Sequence, residues 1–222
     1  MEREPFALGE WYHCYSRGVD KRRTFQSTSD YRRFIQNLYL TNSDKPIHRS
    51  DFQNTTHEHI LQIPRGKPLV AIGAFCLMPN HFHLLLQEKT EGGISKFMRS
   101  LGTAYAMYFN IKHDRVGNLF VKPFRSRRVE DDRYLRKVAQ YIHLNPIEIF
   151  EPGWKEGKVV RMSSIGKRLK DYPYSSLPEY MRIQRSEKAI LDQEIMDVIA
   201  DGLPPLSEII ADAADYYTGL SR

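Results

Sequence analysis

Apolar residues recur three or four positions apart, the spacing of an amphipathic helix, in three segments of the chain. A polar residue able to act as an N-cap stands at the start of the first and third segments. In the third, Leu135, Val138 and Ile142 form the apolar face. The predicted helices run from Ser29 or Asp30 to about Asn42, from Gly92 to Lys112, and from Asp131 or Asp132 to Pro146.

Four other segments are either continuously apolar or rich in aromatic residues, and each has the length of a strand. Met78-Pro79-Asn80 separates the second from the third and is typical of a tight turn, so these two strands form a hairpin. The predicted strands cover Glu10–Arg17, Lys67–Leu77, His81–Gln87 and Val121–Val129.

The order of these elements is strand, helix, strand, strand, helix, strand, followed by an additional helix. It predicts an α+β fold, a split βαβ sheet of four antiparallel strands with two helices on one face. The other face is then free to hold a site, which the added helix can close. Residues 44–66 are polar and predict a long loop with a short strand at His59–Ile63.

After Pro146 the pattern weakens, and glycine and proline residues indicate a loop-rich stretch. Two further helices are expected at about Glu187–Ala200 and Leu206–Tyr217. We therefore divide the chain into a main domain, 1–150, and a C-terminal extension, 151–222, that is first loop-rich and then helical.

Charge is distributed unevenly along the 222 residues, whose formal net charge is +6. Residues 1–180 hold 29 basic and 19 acidic residues, whereas residues 181–222 hold 4 basic and 8 acidic ones. A basic excess confined to one part of the chain favours a partner that carries phosphates. The acidic segment 181–222 could compete with such a partner as a brake, or simply cap the core.

The apolar runs are far shorter than the roughly 20 residues that a membrane span needs, and residues 1–10 lack the apolar centre of a secretory signal. We therefore expect a cytoplasmic protein without a membrane partner. Cys14 and Cys76 are 62 positions apart and form no CxxC motif, so we expect two buried thiols rather than a disulfide framework or a cysteine zinc site.

The sharpest chemical feature is His81-Phe82-His83. Alternate residues of a strand face the same side, so His81 and His83 project together and could hold one divalent ion. Spacing alone favours two half-buried histidines without a metal, because such pairs are common in strands.

Tyr141 and Asn145 are four positions apart on the third helix and differ by about 40° around its axis. A phenol and a carboxamide would thus point to the same place. His143 lies about 200° from Tyr141 and faces elsewhere. Taken alone, Tyr141 is more simply explained as part of the apolar stripe.

Five segments together resemble the single-tyrosine transposases of the HUH (His, hydrophobic, His) group, and most closely the repeat-associated (REP-associated) tyrosine transposases. The resemblance extends over about residues 9–180. It rests on YHCYSRGV at Tyr12–Val19, MPNHFHLLL at Met78–Leu86, GNLFVKPF at Gly117–Phe124, YLRKVAQYIHLNP at Tyr134–Pro146 and DYPYSSLPEY at Asp171–Tyr180.

This resemblance implies a ferredoxin-like fold and a metal-dependent nuclease that cuts single-stranded DNA near hairpin or repeat ends. The enzyme would become joined to the 5′ phosphate. Tyr141 matches the nucleophile, His81 and His83 the metal-binding pair, and Asn145 the third ligand, with Mg²⁺ or Mn²⁺ as the ion. Homodimers and monomers both occur in such families. The long loop 44–66 and the acidic segment after Met181 depart from the family pattern.

Several basic residues could line a groove for DNA, although any single one is more simply explained as a solvated charge. Arg125 and Arg127 share one strand face, whereas Arg128 points to the other. Among the aromatic residues beside them, we assign Tyr15 to the core. The candidate DNA-binding residues are Arg17, Lys21, Arg22, Arg23, Arg99, Arg125 and Arg127.

Two rival functions remain. A metal-dependent hydrolase would use water instead of tyrosine, but no further acidic or histidine cluster near His81 supplies a base. A non-catalytic single-stranded nucleic-acid-binding protein could use the same sheet, as RNA-recognition modules do, but the RNP1-type aromatic motif is missing. A covalent adduct with DNA would separate all three.

Overall fold

The computed structural model describes residues 5–156, 162–201 and 203–220, without the side chains of 162–163 and 215–220. Residues 1–4, part of the segment expected to carry no secretory signal, and residues 157–161, part of the predicted loop-rich stretch, lie outside this description. Within it, no helix has the length and apolar content of a membrane span.

A four-stranded antiparallel sheet forms the centre of the molecule, with the strands in the order β2-β3-β1-β4. The two central strands, β1 and β3, are distant in sequence, and each pairs with strands on both sides. The α+β, ferredoxin-like prediction is confirmed. The strands are β1 (Trp11–Arg17), β2 (Val70–Met78), β3 (His81–Glu88) and β4 (Arg125–Val129).

Two long helices, α1 (Thr28–Leu40) and α3 (Gly93–Lys112), cover one face of the sheet. Phe82 projects from β3 toward this layer, and its ring centroid lies 4.9 Å from that of Phe34 on α1. Burial of such large apolar side chains supplies most of the stabilisation of this layer.

The opposite face is covered in part by α4 (Asp132–Leu144) and α8 (Gln193–Ala200), both of which pack against β2. In this second layer, α4 positions Tyr141 over the sheet. The remaining helices are α2 (His57–Ile60), α5 (Ile147–Phe150), α6 (Met162–Lys170), α7 (Leu177–Tyr180) and α9 (Leu206–Leu220).

Three local predictions are wrong. The first helix begins two or three residues earlier, because Ser27 is its N-cap, while Asp30 lies inside the helix and accepts a hydrogen bond from Ser27 N at 3.0 Å. The segment predicted as a strand at 59–63 starts in α2, which Thr56 caps. The fourth strand begins at Arg125 rather than Val121, since Pro123 has no N–H for a strand ladder.

Tyr15 is also not a core residue. Tyr12 is buried, whereas Tyr15 is half-buried and lies beside the rings of His13 and His83, with centroids at 5.1 and 5.6 Å. The reason is the pleat of β1, which places residues 13, 15 and 17 on the face opposite the α1 and α3 layer.

Part of the C-terminal extension belongs to the main core. Asp192 N donates to Ile72 O at 3.0 Å, so the segment before α8 is attached to β2. Five apolar side chains that follow residue 180 are buried in the same cluster as the sheet: Ile190, Leu191, Ile195, Met196 and Ile199. The helix predicted at about Glu187–Ala200 is thus divided into a 3₁₀ turn, Ser186–Ile190, and α8.

Truncation after Tyr180 is expected to unfold the protein. It removes these five side chains from the main core at roughly 1.5–3 kcal/mol each, a total comparable with the about 5–15 kcal/mol stability of a domain. Thermal unfolding followed by circular dichroism should show no cooperative transition. A chain ending at Ala200, which keeps α8, is the control and should retain one. A folded truncated protein with increased DNA binding would instead favour the brake role.

Candidate active site

A cavity of about 1120 Å³ lies between the sheet and α4. Its floor is formed by alternate residues of β1 and β3, because the antiparallel register places Tyr15 opposite His83 and Arg17 opposite His81. Its wall carries Tyr141 and Asn145. The structure thus brings together all four residues predicted for the chemistry, although they come from two distant parts of the chain.

His81 and His83 project from β3 into this cavity, and each ring has its Nδ1 atom in contact with a neighbouring side chain. His81 Nδ1 lies 2.6 Å from Asn80 Oδ1, and Asn80 Nδ2 donates to Lys21 O at 3.2 Å. Because an amide oxygen only accepts, His81 Nδ1 carries the proton. The lone pair of a neutral His81 is then on Nε2.

His83 makes the corresponding contact with another histidine. Its Nδ1 lies 2.9 Å from Nε2 of His13, one strand away on β1. Either nitrogen can donate in this bond; with the proton on His83 Nδ1 and neutral His13 as the acceptor, the lone pair of His83 is on Nε2, the arrangement that a metal ligand needs. Ligand histidines in proteins are commonly oriented by such a second hydrogen bond.

All three rings are held neutral. Burial, followed by Arg127, lowers the pKa of His13 to about 4. Burial, followed by Arg17 and Lys155, lowers the pKa of His81 to about 4. The pKa of His83 is well below its usual value, mainly because of burial and then because of His13. Neutral imidazoles can donate a lone pair to a metal at pH 7.

Tyr141 lies directly above these histidines. Its ring centroid is 5.7 Å from that of His83 and 5.8 Å from that of His13, in edge-on arrangements. The side chain is 37% exposed, so a nucleic acid can reach the phenol. Asp131 begins α4 by accepting from Tyr134 N at 2.7 Å, and this cap fixes the start of the helix that carries Tyr141.

Asn145 is the C-cap of α4 and is buried. Its Nδ2 donates to Tyr141 O at 2.8 Å, which orients Oδ1 away from the helix toward Lys155 Nζ at 3.3 Å. His143, by contrast, is buried behind α4 with Nε2 at 2.8 Å from Ser176 Oγ. The helical spacing correctly predicted that Asn145 faces the same side as Tyr141 and that His143 faces elsewhere.

The donor set fits a hard divalent cation. No group of three or more His, Cys, Asp or Glu residues able to hold a metal occurs in the described part of the chain. The amide oxygen of Asn145, the third ligand that the family resemblance implies, lines the same cavity as His81 and His83. Two imidazoles and one amide oxygen suit Mn²⁺ or Mg²⁺ and leave positions for phosphate and water.

The predicted DNA-binding residues separate into three groups. Arg17, Arg125 and Arg127 line the cavity. Lys21, Arg22 and Arg23 follow β1 next to Asn80, and Arg22 is paired with Asp20 at 3.0 Å. Arg99 is exposed on α3, on the other side of the sheet. Contacts of all seven with DNA remain predictions.

Sequence reasoning missed three residues of this site. His13 stands within the YHCYSRGV segment and shares the strand face of Tyr15 and Arg17, a signal that could have placed it. Asn80 was assigned only to the turn. Lys155 stands in a loop-rich stretch and carries no local signal.

A match to a family model identifies the family of this chain. The family described as IS200-like transposase matches residues 32–145, a segment that contains His81, His83, Tyr141 and Asn145. The chain belongs to the IS200-like transposase family. This membership places it among DNA-processing enzymes of transposition, whose HUH branch generally depends on a metal ion.

A solved structure of a REP-associated tyrosine transposase, bound to a REP hairpin, has the same fold as this IS200-like transposase. The two chains are 15% identical with a TM-score of 0.52, and the alignment covers 84% of this chain and 88% of the other. At this identity the likeness concerns the fold alone. The comparison with curated proteins finds no match.

Proposed function

We propose that the protein is a metal-dependent endonuclease and strand transferase that cleaves single-stranded DNA near hairpins during transposition. The observation that carries this proposal is the position of Tyr141, whose ring lies 5.7 Å from that of His83 in a cavity also lined by His81 and Asn145. A reachable phenol beside an oriented histidine pair is suited to nucleophilic attack on a phosphate.

The proposed reaction has one covalent step in each direction. Tyr141 Oη attacks the scissile phosphorus, the new oxygen–phosphorus bond forms, and the bond to the 3′ oxygen breaks. The phenolic proton passes to water, and the leaving 3′ oxygen takes a proton from water. The phosphotyrosine keeps the ester bond, so a 3′-hydroxyl can reverse the step and join DNA without ATP.

His81 and His83, through Nε2, and Asn145, through Oδ1, are the residues proposed to hold Mg²⁺ or Mn²⁺. The bound ion would supply Lewis acidity and orient the scissile phosphate. His13 and Asn80 orient the two rings, and Asn145 Nδ2 orients its own amide against Tyr141 O.

A DNA hairpin is the proposed partner. Arg17, Arg125 and Arg127 supply positive charge along the cavity, and the similar solved structure holds a REP hairpin. Phosphate contacts of this kind provide most of the affinity for single strands. A homodimer and a cytoplasmic location remain predictions.

Trapping of a covalent adduct tests the proposed function. Hairpin oligonucleotides from the inverted repeats that flank the gene, labelled on the 3′ side of the cleavage point, are incubated with Mn²⁺ or Mg²⁺ and analysed by denaturing gel. The expected result is label attached to the protein. No labelled protein should form when EDTA is present during the incubation. Cleavage without label on the protein would favour the hydrolase, and binding without cleavage the non-catalytic binder.

The orienting role of His13 predicts an effect on metal affinity. His13→Phe removes the hydrogen-bond partner of His83 Nδ1 and is expected to weaken Mn²⁺ binding by about 10- to 100-fold. His13→Gln keeps an acceptor oxygen and should restore most of the affinity. Electron paramagnetic resonance titration of Mn²⁺ measures both. Equal affinities for the wild type and His13→Phe would show that His13 does not orient the ligand.

A further inference from the structure

Lys155 reaches the candidate active site from beyond the segment that defines the family. It lies in a 3₁₀ turn, Trp154–Glu156, ten positions after Asn145, whereas the family match ends at residue 145. Its Nζ atom is 3.3 Å from Asn145 Oδ1 and 5.1 Å from the centroid of the Tyr141 ring. The ammonium group therefore contacts both the proposed nucleophile and the proposed third ligand.

The charge of Lys155 also reaches the histidine pair. It contributes to lowering the pKa of His81 and of His83, after the larger effect of burial. Arg125 and Arg127 line the cavity from β4, and Arg127 lies over the ring of Tyr134 at 5.5 Å. Lys155 instead places a positive charge on the side of α4, next to Tyr141.

The turn that carries Lys155 is anchored by packing against α9. Trp154 is buried in a second apolar cluster, and the turn packs against α9. Trp154 N donates to Glu151 O at 3.1 Å, and Glu156 N donates to Gly153 O at 2.9 Å. The backbone of Lys155 is thus held, while its side chain extends to the cavity.

We propose that Lys155 is a further catalytic residue, whose ammonium group binds a non-bridging oxygen of the scissile phosphate while Tyr141 attacks. This inference rests on the proposed function. The non-bridging oxygens carry negative charge next to the phosphorus atom at which the new bond forms. A fixed cation beside these oxygens therefore stabilises the transition state.

Binding of the phosphate changes the partner of Lys155. A phosphate oxygen carries more negative charge than an amide oxygen and makes the stronger bond with an ammonium group. Lys155 Nζ would exchange Asn145 Oδ1 for the phosphate, which leaves that amide oxygen for the cation. Lys155 keeps all its protons, and the bonds formed and broken are those of the Tyr141 reaction above.

The rate of adduct formation tests this role. Lys155→Gln removes the charge but keeps an N–H donor for Asn145 Oδ1, so it separates catalysis from positioning of Asn145. Under single-turnover conditions with saturating DNA, the rate is expected to fall by about 100-fold. Lys155→Arg should recover most of it. Lys170→Gln, which removes an exposed charge from α6, is the matched control and should react as the wild type does.

The salt dependence of DNA binding in EDTA supplies a second measurement that needs no cleavage. Loss of one phosphate contact is expected to reduce the slope of log affinity against log salt by about 0.7 for a single strand. An unchanged rate or an unchanged slope in Lys155→Gln would overturn the proposal. Absence of an adduct with the wild-type protein would overturn the proposed function, and the slope would still decide whether Lys155 contacts phosphate.

Discussion

Tyr141→Phe is expected to lower the rate of covalent adduct formation by roughly 10⁴-fold or more, while the affinity for the hairpin changes by no more than a few fold. Only the attacking oxygen is lost, and the ring keeps its edge-on contacts with His13 and His83. Because the side chain is 37% exposed, loss of its hydroxyl should cost little stability. Denaturing gels measure the adduct, and fluorescence anisotropy in EDTA measures the binding.

Tyr134 provides the comparison for this prediction. It also lines the cavity, one heptad before Tyr141, with the guanidinium of Arg127 over its ring. Tyr134→Phe should still form the adduct. Cleavage retained by Tyr141→Phe and lost by Tyr134→Phe would move the nucleophile to Tyr134.

Replacing both His81 and His83 with alanine is expected to reduce metal-dependent cleavage by roughly 10³-fold or more, because the proposed ligands of the ion are removed. Hairpin binding in EDTA should persist, since Arg17, Arg125 and Arg127 are unchanged. His83 is buried, so a loss of about 1–3 kcal/mol in stability is also expected.

Two measurements separate loss of metal from loss of fold in this double variant. Mn²⁺ titration should show no binding at the site, and circular dichroism should show a retained, lowered melting transition, because Phe82, Leu84 and Leu86 pack on the other face of β3. His59→Ala, an exposed histidine on α2, is the control. Normal cleavage by the double variant with Mg²⁺ would refute the metal assignment.

The involvement of Lys155 gives the C-terminal extension a place in the proposed reaction. Helix α9 packs against the turn that carries Lys155, and α8 packs against β2 and α4. The extension thus supports the wall of the cavity from outside the family segment. This arrangement favours a structural role of the extension, as a cap on the core, over a role as a brake on DNA binding.

The sequence by itself determined the features that depend on local backbone geometry. The two-residue period of a strand placed His81 and His83 on one face, and the helical period placed Asn145, but not His143, beside Tyr141. Alternation also separated Arg125 and Arg127 from Arg128, which pairs with Glu10 at 3.0 Å. Such periods follow from the dihedral angles of neighbouring residues and need no knowledge of distant contacts.

Only the tertiary structure decided which distant residues meet these groups. His13 contacts His83 across 70 positions because β1 pairs with β3 in one particular register, and a shift by one residue would have turned it away. Because Tyr12 and Cys14 face the core, the pleat of β1 places Tyr15 in the cavity. Lys155 reaches Asn145 because buried Trp154 anchors its turn. Register and anchoring are set by packing of the whole core, which no local period encodes.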